Sequence, residues 1–374
     1  MRVSLENAAA FAIARHGIRT GGDGLSDGPE AAQRTLGLHA QLLNSAAMSV
    51  AARVKAYDRD RFRHELYQDH TLVKVWCMRG TLHLVAAGDY PLFLSAIMRR
   101  RGLRYREFLS RCDFTPEEIE GLPARAARAL AGGPLTRAEL HEQVPELRRI
   151  PFPEWGQDVK DLCYLGKLVH AEPAGAEARF ALADRWVAPA GDSAKLLPIP
   201  EEEALAELLA RYLKSYAPAA VSDFAYWAGL ESVAPATEAR GRLGDRVAEV
   251  DVVGYRNPLL AMTEDLDELA SSAPNPGLFA LPRFDPLLLG HRDRRRFVDD
   301  EWRSRLVHPG GFVAATVWSS GRIIATWDYK VSRGALLVRA SPFRALTPQE
   351  ERSLVQATEP FAAVLGLSGV KLAR

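Results

Sequence analysis

The chain has 374 residues, 47% hydrophobic and 25% charged, an ordinary globular composition that is long enough for two to four domains rather than one small core. No apolar run approaches the length of a membrane span, and Met1-Arg2-Val3-Ser4-Leu5-Glu6-Asn7 carries an acid and no apolar core, so neither a membrane helix nor a secretory signal is expected and the cytoplasm is the expected compartment. Cys77, Cys112 and Cys163 stand far apart without a CxxC pair, which argues against a structural zinc site or a disulfide framework, and a net charge of +1 does not advertise a nucleic-acid binder.

The distribution of charge says more than its sum. Arg99, Arg100, Arg101, Arg104 and Arg106 crowd one stretch, and Arg292, Arg294, Arg295 and Arg296 another. Acidic residues gather elsewhere, at Glu201-Glu202-Glu203 and over residues 264–268. A sided distribution can bind phosphates while the molecule stays near neutral. Arginine runs also cap helices or sit on solvated faces, and spacing leaves both readings open.

Residues 5–15 read as an alanine-rich helix. Gly21-Gly22-Asp23-Gly24 and Gly28-Pro29 then break the chain, and residues 30–36 restart a helix with Pro29 suited to its first turn. Next comes Leu36-Gly37-Leu38-His39-Ala40-Gln41-Leu42-Leu43-Asn44. Its alternation predicts an extended segment with His39 and Gln41 pointing the same way. An imidazole and a carboxamide side by side can hold and deprotonate one water; the same spacing also fits a buried, hydrogen-bonded pair at a helix–loop junction. Ser45 is the expected N-cap of a helix over residues 46–57, and residues 62–68 form a short one. Residues 71–79 and 81–85 read as strands around the Arg79-Gly80 turn. Helices followed by a strand pair are the order of a winged helix.

The pattern recurs twice. Thr115-Pro116-Glu117-Glu118 opens a helix, Thr136 with Glu139 predicts a capping box, residues 159–165 supply a third helix, and residues 168–171 and 179–182 a wing. Residues 201–216 then form a long helix, residues 221–228 a short one capped by Ser222, residues 238–243 another, and residues 247–255 have strand character. From Pro274, alternating segments separated by Pro309-Gly310-Gly311, Ser320-Gly321 and Arg333-Gly334 predict an antiparallel, barrel-like domain closed by a helix over residues 348–365. The expected class is α+β: three tandem winged-helix domains at residues 1–112, 113–197 and 198–273, then a β-barrel-like domain at 274–374. Repeated winged helices with arginine clusters make duplex nucleic acid the first-choice partner of a protein expected to be a monomer.

Three phrases sharpen this: Leu36-Gly37-Leu38-His39-Ala40-Gln41; Val75-Trp76-Cys77-Met78-Arg79-Gly80-Thr81-Leu82-His83-Leu84; and Leu281-Pro282-Arg283-Phe284-Asp285-Pro286-Leu287-Leu288-Leu289-Gly290-His291. In their order and spacing the chain resembles the AlkZ/YcaQ-like bacterial DNA glycosylases, built as tandem winged helices with a C-terminal β-barrel. The resemblance covers nearly the whole chain. It implies that His39 and Gln41 are the catalytic pair. The family commonly has Gln-x-Gln or Gln-x-Asp there, and His39 departs from both.

The implied chemistry is hydrolysis of the N-glycosidic bond of purines alkylated at N7, bulky or crosslink adducts among them. A cationic base is a good leaving group, so the site must chiefly place a water at an oxocarbenium-like sugar. No lysine lies in the stretch, so a Schiff-base lyase step is not expected and the enzyme is predicted to be monofunctional; no cofactor is expected. Arg79 and Thr81 match the second phrase and are expected to shape the wing beside the catalytic stretch and, with Arg99, Arg100, Arg101, Arg292, Arg294, Arg295 and Arg296, to contact DNA. The turn His308-Pro309-Gly310-Gly311 and the arginine loop after His291 are the candidates for probing the duplex. His83 is expected to be structural, Asn44 to cap the next helix, and Tyr226-Trp227 to pack in the core. Asp285 and His291 resemble an acid–base pair and also read as potential metal ligands, but with no further ligand at suitable spacing no metal is expected. Some family members protect producers from their own alkylating metabolites, which extends the expectation to antibiotic self-resistance. The rival is a non-catalytic multi-winged-helix DNA-binding protein or transcription regulator.

Overall fold

Local chemistry sets where most helices begin. The computed structural model describes residues 1–18, 24–152, 156–187, 199–308 and 311–373; the residues 21–23 of the predicted glycine break lie outside these. Thr115 with Glu118, and Thr136 with Glu139, form reciprocal capping boxes on helices Pro116–Ala129 and Arg137–Gln143. Each box satisfies two backbone N–H groups that a first turn would otherwise leave open. Helices Leu5–Arg15 and Glu201–Tyr216 have the predicted bounds. Other caps differ from expectation. Helix Leu43–Ala51 starts from Leu42 with no side-chain cap, so Asn44 and Ser45 lie inside it. Asp58 caps a separate helix, Arg59–Tyr67. Asp223, rather than Ser222, closes the start of Val221–Ala228 by accepting the Ala220 N–H at 3.0 Å.

A recurring order follows. Gly28–Thr35, Leu38–His39, Leu43–Ala51, Arg59–Tyr67, Leu72–Trp76 and Leu82–Ala86 run helix, short strand, two helices, two strands. Pro116–Ala129, Leu135–Thr136, Arg137–Gln143, Gln157–Tyr164, Leu168–Ala174 and Glu177–Leu182 repeat it. The third round, Glu201–Tyr216, Val221–Ala228, Ala234–Leu243, Val247–Val252 and Leu259–Met262, has a single bridge from Ala219 to Leu260 in place of the short strand. The first two rounds share one six-stranded sheet, because Lys74 pairs with His170 and joins the two hairpins edge to edge. Joining covers two strand edges that separate wings would expose. In the third round Arg2–Val3 lies parallel to Val247–Val252, which ties the N-terminus to the middle of the chain. A helical run at Tyr90–Phe93, Leu94–Met98 and Arg99–Ser110, unpredicted from sequence, leaves the first round and packs on Glu201–Tyr216.

The C-terminal sheet is open rather than a closed barrel. Its order is Leu278–Leu281, Ala315–Ser319, Arg322–Ser332, Ala335–Pro342, Val370–Leu372, antiparallel until the last, parallel pair. Helix Pro348–Val364 packs on both the first and last of these strands and covers the gap between the two edges. A two-residue ladder, Val307–His308 with Phe312–Val313, stands apart as a small hairpin. Ala9, Ala12 and Ile13 of the first helix pack under Leu281, Leu287, Leu288, Phe297 and Trp318, so the third sequence phrase is anchored to the N-terminal helix. Among the described residues no helix is long and apolar enough to cross a membrane.

Candidate active site

His39 ends the short strand that adds to Leu82–Ala86, directly opposite His83. The extension continues for one residue, as the Ala40 N–H donates to Leu82 O at 2.7 Å. Gln41 follows, exposed, its Oε1 3.5 Å from the Leu82 N–H, and Leu42 beside it is 44% exposed. His39 and Gln41 thus flank the same end of the neighbouring strand, one enclosed and the other at the surface.

Three groups enclose His39. Phe284 stacks on its ring at 4.7 Å and His83 meets it edge-on at 5.3 Å. Arg79 contributes positive charge nearby. His39 is 7% exposed and its Nδ1 has no hydrogen-bond partner among the described residues. Burial first, and Arg79 second, push its pKa down to about 4, so the ring is neutral near pH 7. His83 is held well below its ordinary value by burial and by the same neighbours. The Thr81 carbonyl, 3.0 Å from His83 Nδ1, can only accept, which assigns the proton of neutral His83 to Nδ1. A neutral imidazole at a site rim can take a proton from water, and a carboxamide can hold that water by donating or accepting.

Phe284 comes from the third phrase, far away in sequence. Its backbone is left-handed, at φ 59°. The adjoining Asp285 is fully buried and receives Arg53 Nη2 at 2.8 Å, Arg53 Nη1 at 2.9 Å, Ser49 Oγ at 2.9 Å and the Leu287 N–H at 3.1 Å. Arg53 Nε and Nη1 also donate to the carbonyls of His16 and Ser49. Burial alone would push the Asp285 carboxyl up; the Arg53 guanidinium overcomes it and holds the group below the usual carboxylate range. A buried pair with this many satisfied atoms fixes position more than it adds stability. It ties the segment carrying Phe284 to the helix that follows His39. Asp285 is therefore engaged by Arg53 rather than by His291. His291 is fully buried, with neither ring nitrogen hydrogen-bonded among the described residues.

The predicted DNA contacts divide. Arg79 sits at φ 53° in a tight turn, donates to Trp227 O at 3.0 Å and lies over the exposed Tyr226 ring at 5.7 Å. Thr81 Oγ1 closes the same turn on Met78 O. Trp227 is core, packed with Tyr212, Tyr216 and Phe224. Arg99 is half-buried, Arg100 pairs with Glu201 at 2.8 Å, and Arg101 donates to Gly229 O at 2.9 Å. Arg294 donates to Leu288 O, and Arg295 pairs with Asp293. Arg292 has an exposed side chain. Arg296 corrects the expectation: it is 1% exposed and donates to Pro218 O at 2.7 Å, which makes it an internal strut out of reach of a phosphate. Sequence reading missed Phe284 as a neighbour of His39, and Phe312 as the ring that meets Phe284, since no spacing rule brings residues more than two hundred positions apart together.

An enclosed neutral imidazole beside an exposed carboxamide, on a mixed α+β frame, has the chemistry to hold and deprotonate a water. The comparisons specify the class of protein: the DNA glycosylase AlkZ-like family model matches residues 32–364, from just before His39 through the last helix, and the chain belongs to that family. The Interstrand DNA cross-link repair glycosylase of Streptomyces sahachiroi is 33% identical over 349 residues, 90% of each protein. The solved structure of Streptomyces sahachiroi DNA glycosylase AlkZ matches over the full length of both chains, with a TM-score of 0.84 and 26% identity. The chain is accordingly a DNA glycosylase, a hydrolase of N-glycosidic bonds.

Proposed function

We propose that this enzyme excises N7-alkylated purines, bulky and crosslink adducts included, from duplex DNA, with His39 as general base and Gln41 positioning the same water. The observation that carries the reading is the neutral, enclosed His39 ring, sandwiched by Phe284 and edge-on His83 beside the exposed Gln41. Alkylation at N7 places positive charge on the base, so the bond to the sugar breaks with little need for an acid. The base departs with the bonding electrons, the sugar develops oxocarbenium character, and water adds at C1′ as its proton passes to His39. Base departure without a lysine nucleophile leaves an intact abasic site. The relative's name, which speaks of interstrand crosslinks, supports extending the substrate to crosslink adducts, and self-resistance to a DNA-alkylating metabolite is the setting this suits.

The recurring helix, strand, helix, helix, hairpin order supports three winged-helix units at residues 1–112, 113–197 and 198–273, which would clamp the duplex, followed by the unit at 274–374. Of the predicted DNA contacts we retain Arg79, Thr81, Arg99, Arg100, Arg101, Arg292, Arg294 and Arg295, with Arg292 the most open to solvent. The hairpin at Val307–His308 and Phe312–Val313 is the element we assign to probing the groove; Pro309 and Gly310 of its turn lie outside the described residues. We place the enzyme in the cytoplasm as a monomer.

Duplexes bearing N7-methylguanine or a nitrogen-mustard adduct should yield alkali-labile abasic sites with the wild-type protein. His39→Ala is expected to slow single-turnover excision by about 10²–10⁴-fold, with Gln41→Ala also impaired. Unchanged rates in both variants would remove the assigned pair from the chemistry while leaving the activity intact.

A further inference from the structure

A second concavity lies beside the candidate active site. A cavity of about 420 Å³ opens between the small hairpin and the C-terminal sheet, lined by Arg283, Arg305, His308, Phe312, Thr326 and Trp327 among others. Two ring contacts connect it to the site: Phe312 meets Phe284 edge-on at 5.2 Å, and Phe284 stacks on His39 at 4.7 Å. The Phe284 N–H also donates to Val313 O at 3.3 Å, which joins the hairpin to the residue covering His39.

The charges in this cavity do not balance. Asp328, also in its wall, is taken by Arg283 at 2.7 Å. Arg305 has no carboxylate within ion-pair distance among the described residues, and its guanidinium lies 5.1 Å from the Trp302 ring and 5.9 Å from the Phe343 ring. Those two rings stack in parallel at 4.9 Å. Arg305 is exposed, its guanidinium rests against this aromatic pair, and its fork matches the oxygens of a phosphate. Hydroxyls of Thr326 and Ser341, opposite each other on paired strands, add short polar groups to the wall. A nucleobase suits the cavity less well. Trp327 is committed to the core by stacking on Phe361 and donating to Leu281 O at 2.9 Å, and Arg283 already lies over Phe312 at 5.0 Å.

We infer that this cavity binds one backbone phosphodiester of the DNA, with Arg305 as its principal ligand, and thereby sets the register of the damaged nucleotide over His39. The inference rests on the reading of His39 as the chemical centre, but its test reads binding alone. Full-length protein is titrated by fluorescence anisotropy against a duplex carrying one tetrahydrofuran abasic analogue, with single neutral methylphosphonates stepped along each strand, at several salt concentrations. For wild type, one position near the analogue should weaken binding more than its neighbours. Arg305→Gln should be insensitive to that position and should lower the slope of log affinity against log salt by about one, the share of one phosphate contact; Arg305→Lys should keep the slope. An unchanged slope in Arg305→Gln, or strict additivity with every methylphosphonate, overturns the inference. So does the pattern of a free-anion pocket, in which inorganic phosphate stabilises wild type but not Arg305→Gln against heat while every methylphosphonate stays additive. Loss of excision in His39→Ala has no bearing on these readings.

Discussion

The chemistry of His39 depends on what covers it. Burial lowers the imidazole pKa to about 4, with Arg79 adding to it; Phe284 stacks on the ring as part of that cover, and His83, neutral itself, faces it edge-on. The general-base role proposed for His39 requires an unprotonated ring, so on that proposal activity should persist on the acid side down to about pH 4 and fall below it. In Phe284→Ala the ring is hydrated, its pKa moves up toward the ordinary 6.5, and the acid limb of the single-turnover profile should shift to higher pH. Rates near pH 8 should suffer much less than rates near pH 5, roughly, since the shift leaves the base neutral above its new pKa. Superimposable profile shapes for variant and wild type would show that Phe284 does not set the pKa of the base. Phe284 could not be identified as a neighbour of His39 from sequence, because its position depends on a left-handed backbone and on the buried Arg53–Asp285 pair.

At the scale of elements, the turn holding Arg79 is braced by the third round. Gly229 ends helix Val221–Ala228 at φ 72°, and a Cβ there would stand 2.7 Å from Arg79 N and 2.8 Å from Arg79 Cα. These are backbone atoms, so the turn itself would have to move. Gly229→Ala should cost about 1–3 kcal/mol in urea denaturation and slow excision by displacing Arg79 from the surroundings of His39. Gly241→Ala, inside helix Ala234–Leu243 where a Cβ meets open space, should be neutral or stabilise by up to roughly 1 kcal/mol. Equal effects of the two substitutions would refute the brace. Helix starts were legible in sequence at reciprocal capping boxes such as those of Thr115 and Thr136. They were misread at Ser45 and Ser222, serines that are as compatible with a helix interior as with a cap.

Across the whole molecule, burial of histidine couples the fold to pH. His16, His39, His83, His170 and His291 are all buried, and burial is the first cause lowering the pKa of each, to about 3 for His16 and about 4 for His39. Each binds its proton more weakly folded than unfolded. Between the folded values and the ordinary 6.5, the unfolded chain therefore holds more protons. Their contribution to stability is full above about pH 6.5 and is lost as pH falls toward the folded values. Urea midpoints should fall steeply from about pH 6.5 to pH 4.5, and His291→Gln should flatten part of the slope. A midpoint independent of pH over that range would contradict the neutral, buried state of these rings.

The sequence by itself determined the local features: helix starts with reciprocal caps, the repeated order of helices and hairpins, and three phrases whose resemblance pointed to the right family. These are short-range matters, settled by neighbouring residues and by alternation. Tertiary structure alone decided that two hairpins share one sheet, that the C-terminal sheet is open and covered by a helix, and that Phe284 lies on His39. It also sorted the arginines, which look alike in sequence: Arg296 is a buried strut, Arg101 a tie between rounds, and Arg305 a cation without a carboxylate partner among the described residues, lying against two aromatic rings. The reason is physical. A guanidinium's role follows from which carbonyls, carboxylates and rings the fold brings within a few ångströms, and those partners lie far away along the chain.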